Sequence, residues 1–447
     1  VMNGSMSFPG FSSPAAGPEA PLDMLAACHT RVEKQCRTLE RLQAHLNMHG
    51  SDPAAQEAAH AVLRQHVEQD LLSGVSTAIL RGRDLLDVHT VGLADREADT
   101  PLRTDHIFRA FSNTKLLTTC AVLLLWEDGR LDLDEPASRL LPELAELRVL
   151  KPGATTLDDT EPLRQPITIR QLLTHSAGLD YGLLDPSTPT FQPYRQAAVL
   201  HPLQTLQDMV GKLKGLPLLY QPGEGWMYSV ATDVLGRLVE AASGLSFKDF
   251  LQQRIFTPVG MVDTGFAVPA DQQHRLAAFY VGADLFNPYK PGLTRKDNYP
   301  YPGAYLHEPP WQSGGGGLVS TLPDMVALLR ALLPPSDAHP QPTLLKPDTL
   351  AQMMRNQLPD GRWISFATFG EVPGKGFGLR GAVTLQPNPF DPAGSVGEFQ
   401  WGGLAGTHWW IHPASGLAGI TMTQRHMAFW HPYFFAWKQA VYKAVGV

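Results

Sequence analysis

Cysteine is scarce in this chain, with Cys28, Cys36 and Cys120 the only three among 447 residues. Cys28 and Cys36 stand eight apart on an expected helix, about 12 Å along its axis, too far for a bridge. Cys120 falls inside an apolar run. A disulfide framework is therefore not expected, and reduced thiols point to a cytoplasmic protein. Long basic segments are missing as well, and the formal net charge is −7. That balance argues against nucleic acid or an anionic membrane as partner. No apolar run approaches membrane-spanning length. The opening VMNGSMSFPGFSSPAAGPEA lacks the basic-then-apolar order of a signal peptide.

Several catalytic signatures are also absent. Gly-x-Ser-x-Gly does not occur, which removes the nucleophile elbow of α/β-hydrolases. His-Glu-x-x-His is missing, and His408, His412, His426 and His431 follow no recognised metal spacing. No metal is expected. No dinucleotide glycine pattern follows a strand, and the cluster Gly314 to Gly317 lacks the lysine of a phosphate loop. No cofactor is expected either.

What remains has a clear order. The chain is longer than one hydrophobic core usually serves. Residues 1–21 read as a flexible N-terminus and 22–50 as an extra N-terminal helix with charged faces. VSTAILRG and DLLDVHTVG read as two strands joined by a glycine turn. The middle third is helical. GKGFGLRGAV, SVGEFQWGG, GTHWWIHP and GLAGITMTQ then read as successive antiparallel strands, and Trp430 to Val445 closes the chain as a helix. Strands, helices, strands describe an α+β protein, in which a sheet flanked by helices is interrupted by an all-helical lobe. The sheet lobe would take 53–108 and 268–447, the helical lobe 109–267. Residues 282–312 are too long for a plain connection and read as a functional or mobile loop.

The chemistry concentrates at FSNTKLLTTCAVLLLWEDG. Ser112 and Lys115 lie three apart at the first turn of a helix that is apolar on nearly every face, hence buried. One reading is an N-cap serine beside a lysine whose stem lies along the surface. Against it, a first-turn lysine opposes the helix dipole. An amine beside a hydroxyl can take its proton and activate a nucleophile. Tyr228 opens a second helix, and its phenol is either packing with a hydrogen bond or a proton relay. Trp401-Gly402-Gly403 sits in a late strand, either as a bulge or as an edge strand whose amides meet a nucleophile.

In this order FSNTK, LLTHSAGL, QPGEGWMYS, SGGGGLVST and QWGGLAGTHWWIHP resemble the serine β-lactamase and penicillin-binding-protein superfamily. Within it the chain is most similar to the class C β-lactamase-like carboxylesterases, the family VIII esterases, over residues 58–446. The resemblance implies a β-lactamase/transpeptidase-like fold with the active site at the lobe interface. It implies Ser112 as acylated nucleophile, Lys115 as holder or acceptor of its proton, and Tyr228 as general base with Lys115. The oxyanion hole would be the backbone N–H groups of Ser112 and Leu404. Trp401, Gly402, Gly403 and Tyr181 would bind substrate.

Two departures point away from lactams. Tyr228-Ser229-Val230 stands where a lactamase has Tyr-x-Asn, and Trp401-Gly402-Gly403 stands where it has Lys-Thr-Gly. The amide that holds a lactam side chain and the cation that pairs with its carboxylate are both missing. The expectation is a serine carboxylesterase acting on small or medium neutral esters, with weak lactam hydrolysis compatible. Acyl transfer on the same fold, a lactamase or peptidase, and a non-catalytic scaffold are the alternatives. Oligomeric state stays open.

Overall fold

Eight strands, drawn from two distant parts of the chain, build the sheet that carries the rest. The computed structural model describes residues 53–366 and 370–446. The expected flexible N-terminus, the extra helix at 22–50, Cys28 and Cys36 lie outside them. β1 (Gly74–Arg81) and β2 (Asp84–Asp95) form a hairpin that turns at Gly82, and β3 (Thr100–Pro101) extends it. The late strands are β4 (Lys375–Phe377), β5 (Ala382–Thr384), β6 (Phe399–Gly402), β7 (His408–His412) and β8 (Leu417–Thr423). The order is β4-β5-β6-β7-β8-β1-β2-β3, antiparallel throughout. β8 pairs with β1, Thr423 opposite Val75, so the two ends of the described chain close one sheet.

Five helices matter for the site: α1 (Pro53–Glu68), α2 (Thr114–Glu127), α3 (Ala231–Ser243), α4 (Leu322–Leu332) and α5 (Pro432–Val445). Alternation along the strands sorts the two faces. Trp410 points to the side of α1 and α5, where its ring meets Phe434 and Trp437 in a cluster that includes Leu63. Its neighbour Trp409 points the other way, into a core shared with α2, α3 and α4. The caps follow from sequence. Thr321 accepts from the Asp324 N–H at the start of α4, and α3 ends at Gly244 with φ +77°.

α2 is the helix on which the site is mounted. Every residue from Thr114 to Leu125 is buried, so it has no solvent face to drift along. A fully buried leucine contributes about 1.5–3 kcal/mol, and α2 carries Leu116, Leu117, Leu123, Leu124 and Leu125 in the main core. Gly129, with φ +68°, ends the run as a left-handed stop.

Four sequence readings need correction. GKGFGLRGAV is two strands, β4 and β5, folded about a turn at 378–381, because its glycines permit a reversal. LDLDEPASRLLPELAEL, which by sequence reads as a turn followed by a helix, forms instead two short 3₁₀ turns, Ala137–Arg139 and Pro142–Leu144, since Pro136 and Pro142 interrupt an α-helical ladder. TIRQLLTHSAGLD, which by sequence reads as a short helix capped near Gly178, is helical only as far as Leu173, because His175 takes a positive φ. β6 is no edge strand: it lies between β5 and β7. Only Phe399 and Gln400 pair with β5, however, so Trp401 and Gly402 run beyond that neighbour.

Candidate active site

The chain enters the site through a two-stranded ribbon of Ile107–Arg109 and Val319–Thr321. It then makes a single 3₁₀ turn, Phe111–Asn113, and passes into α2. Phe111 holds φ +44°. For a bulky residue that conformation stores strain on the order of 1–3 kcal/mol. It turns the chain from strand to helix within a few residues and sets Ser112 in the wall of a cavity.

Three groups meet at the Ser112 hydroxyl. Tyr228 Oη donates to Ser112 Oγ at 2.7 Å, and Lys115 Nζ approaches the same oxygen at 3.3 Å. Lys115 is fully buried and donates also to the Gly315 carbonyl at 2.5 Å. Its Nζ lies 4.7 Å from the centre of the Tyr228 ring. Tyr228 is held by stacking on both sides: Tyr181 at 5.6 Å, nearly parallel, and Trp401 at 5.5 Å. Such contacts add about 0.5–1.5 kcal/mol each beyond burial, and they fix where the phenol points.

The glycine cluster supports the lysine. Gly315 N–H donates to Asp233 Oδ1 at 3.1 Å, and Ser313 Oγ donates to the same oxygen at 2.6 Å. Thr118 Oγ1 of α2 donates to the Gly314 carbonyl at 2.8 Å. A side chain at Gly314 would come within 2.6 Å of the Thr232 carbonyl, so the loop can lie against α3 only as glycine. Asp233 is buried; desolvation raises its pKa, and the Lys115 charge works against that rise. Burial, then the Asp233 and Tyr228 charges, push the Tyr181 phenol well above its ordinary range. Tyr181 is thus a neutral wall.

The end of β6 lies against the turn that carries Ser112. A Cβ on Gly403 would stand 2.5 Å from the Ala110 carbonyl and 3.4 Å from the Ser112 nitrogen. Thr407 Oγ1 donates to the same Ala110 carbonyl at 3.1 Å. Leu404 follows in the cavity wall.

The cavity measures about 1130 Å³. Tyr181, Tyr228, Trp401 and Leu404 line it, as do Tyr299, Tyr301, Tyr305 and Trp311 from the long loop at 282–312. The loop is anchored beside the nucleophile, since Arg109 donates to Asp297 at 3.3 Å.

Every site residue named from the sequence lies here. Ser112, Lys115 and Tyr228 are in mutual contact, Tyr181 and Trp401 clasp the phenol, and Gly402, Gly403 and Leu404 reach the nucleophile turn or the wall. Sequence reasoning missed Asp233, Gly315, His175 and Arg380. His175 was quoted only as part of LLTHSAGL. Arg380 left one signal, an arginine set among the glycines of GFGLRG. Among the described residues no cluster suits a metal ion. Cys120 is buried, and burial lifts its thiol to about 12, which leaves it unreactive.

Comparison with known proteins places this geometry in context. The sequence matches the family described as Beta-lactamase over residues 59–428. It is 33% identical to Esterase EstB of Burkholderia gladioli over 399 residues, 86% of this chain and 94% of that protein. It is 35% identical to a lovastatin esterase of Penicillium rubens, covering 72% of this chain and 81% of the relative. Among solved structures, EstCE1, titled a hydrolase with promiscuous acyltransferase activity, superposes with a TM-score of 0.72. It is 26% identical and covers 87% of this chain and 98% of its own.

Proposed function

This chain belongs to the beta-lactamase family, and we propose that within it the protein is a serine carboxylesterase that works through an acyl-enzyme on Ser112. The observation that carries the reading is the convergence of Tyr228 Oη and Lys115 Nζ on Ser112 Oγ in the wall of an apolar cavity. No histidine is needed, because the phenol and amine together hold and return one proton. The esterase names of the relatives agree with it.

Ser112 Oγ attacks the ester carbonyl while its proton passes to the Tyr228–Lys115 pair. The carbonyl oxygen becomes an oxyanion and is held by the backbone N–H groups of Ser112 and Leu404. Losing one such donor typically costs 10²–10³-fold in kcat. The pair then returns the proton to the leaving alcohol as the carbon–oxygen bond breaks. Water enters, gives its proton to the same pair and attacks the acyl carbon; the bond to Ser112 Oγ then breaks, the pair returns the proton to that oxygen, and the acid leaves. Asp233 and the Gly315 carbonyl keep Lys115 in place throughout. We take the site to lie between a sheet-bearing lobe, 53–108 with 268–447, and a helical lobe, 109–267.

Substrates of this site are neutral esters. Trp401 occupies the position where a cation would meet a carboxylate, which disfavours lactam antibiotics and favours apolar groups. The cavity, at about 1130 Å³, exceeds what a small ester fills. Its room also admits a second reading, in which an acceptor alcohol replaces water and the acyl group is transferred. Product analysis with an added alcohol separates the two.

A fluorophosphonate probe tests the nucleophile. It is expected to label Ser112 stoichiometrically and to block turnover of p-nitrophenyl butyrate. Labelling that persists in Ser112→Ala ends this reading. Among the described residues no helix is long and apolar enough to cross a membrane.

A further inference from the structure

Arg380 sits in the turn between β4 and β5, where Gly378 N–H bonds the Gly381 carbonyl and Arg380 N–H bonds the Gly378 carbonyl. Its φ is +82°. Glycine adopts that conformation freely and arginine does not. Its side chain is also buried, and its guanidinium bonds reach Leu172 and His175 rather than a carboxylate. Burying a cation without an anion is unfavourable, and here burial draws the guanidinium down to about 9. A residue selected for stability at this turn would be glycine.

The guanidinium is directed at the site. It donates to the Leu172 carbonyl at 2.6 Å and, through its other terminal nitrogen, to His175 Nε2. A guanidinium only donates, so His175 Nε2 accepts, while Nδ1 lies 3.1 Å from Ser229 Oγ and accepts from the Ser229 backbone N–H at 3.2 Å. His175 is therefore neutral, as its burial and the Arg380 charge also require. It holds φ +56°, a second strained residue. Its ring lies 4.7 Å from the Tyr228 ring, and Ser229 is the next residue after Tyr228. The groups facing Tyr228 are thus Lys115, His175, Tyr181 and Trp401, with Arg380 behind His175 and Asp233 beyond Gly315.

We propose that Arg380, acting through His175, is a positioning residue that holds Tyr228 on the Ser112 hydroxyl and stabilises the phenolate form in which Tyr228 accepts the serine proton. The inference rests on the roles given above to Ser112 and Tyr228. It explains how the site works with Trp401 where a second lysine would stand: a cation is present, but behind the phenol and away from substrate. Arg380 does not line the cavity and touches no reacting atom.

Arg380→Gly and Arg380→Lys test it, read by melting temperature, kcat and KM, the pH profile of kcat/KM, and the rate of fluorophosphonate labelling. The glycine variant relieves the strained φ and removes the cation. It is expected to melt at or above the parent temperature while kcat falls on the order of a hundredfold and KM stays within about threefold. The acid limb of the profile moves to higher pH, because the proton acceptor has lost a neighbouring positive charge. Arg380→Lys restores part of the rate. A glycine variant with kcat within about threefold of the parent, or one that loses rate and stability together with an unmoved acid limb, overturns the proposal. If the parent is labelled at Ser112 and the glycine variant is labelled equally fast, Arg380 alone loses its role. A parent unlabelled at Ser112 removes the reading of the site itself.

Discussion

The Tyr228 hydroxyl donates to Ser112 Oγ at 2.7 Å although 116 positions of sequence separate the two residues. Neither residue can perform acyl transfer alone. A serine hydroxyl is a weak nucleophile until a neighbouring base takes its proton, and the phenol can act only where stacking pins it. Tyr181 and Trp401 supply that restraint from two further parts of the chain.

Removing the phenol oxygen tests this pairing. Tyr228→Phe keeps the stacked ring and is expected to lower kcat by about 10²–10⁴-fold with KM nearly unchanged. Lys115→Ala should cost a similar factor, and the double variant little more than either, because the two groups act as a unit. Losses that multiply in the double variant would separate their roles.

Gly403 limits what the strand end can be. In Gly403→Ala the new methyl carbon meets Thr407 Oγ1 at 2.4 Å and the Ala110 carbonyl at 2.5 Å, so β6 must withdraw from the nucleophile turn. Steady-state kinetics on p-nitrophenyl esters should show kcat down by about 10²-fold or more, the scale of a lost oxyanion donor. Fluorescence-monitored unfolding should show the fold retained. Wild-type kcat in this variant would detach β6 from catalysis.

Cavity size sets the acyl preference. Each methylene buried from water is worth about 0.8 kcal/mol, roughly fourfold in kcat/KM. The value should therefore climb along a series from acetate to hexanoate and remain high for cyclic or aromatic acyl groups, given about 1130 Å³ of space. A maximum at acetate would contradict an open apolar cavity.

Acid should weaken the fold before it removes the carboxylates. Burial holds His408 down to about 3, and His431 also to about 3, against an ordinary value of 6.5. Between those values the unfolded chain binds protons that the folded chain refuses, so stability falls as pH drops below 6.5. Each such histidine contributes up to about 1.4 kcal/mol per pH unit. Urea unfolding from pH 7 to 4 measures the slope. His408→Gln, neutral throughout, should flatten it, and an unchanged slope would remove His408 from the account.

Much of this was legible before any coordinates. The apolar run behind Lys115 marked α2 as buried, since a helix with no polar face has nowhere else to go. VSTAILRG and GTHWWIHP, set off by glycine or proline turns, marked strands, and the ordered motifs named Ser112, Lys115, Tyr228 and the Trp401 strand. Contacts across long separations were not legible. That Asp233 supports Lys115 through Gly315, or that β6 is flanked by β5 yet runs past it, depends on which elements lie side by side, and local patterns carry no such distances. Arg380 shows the limit most clearly. Sequence alone determined that an arginine stands among glycines. Only tertiary structure decided that it takes φ +82°, is buried, and points through His175 towards the back of Tyr228. The reason is physical: a charge acts through space in a low-dielectric interior, and that space exists only once the sheet has closed.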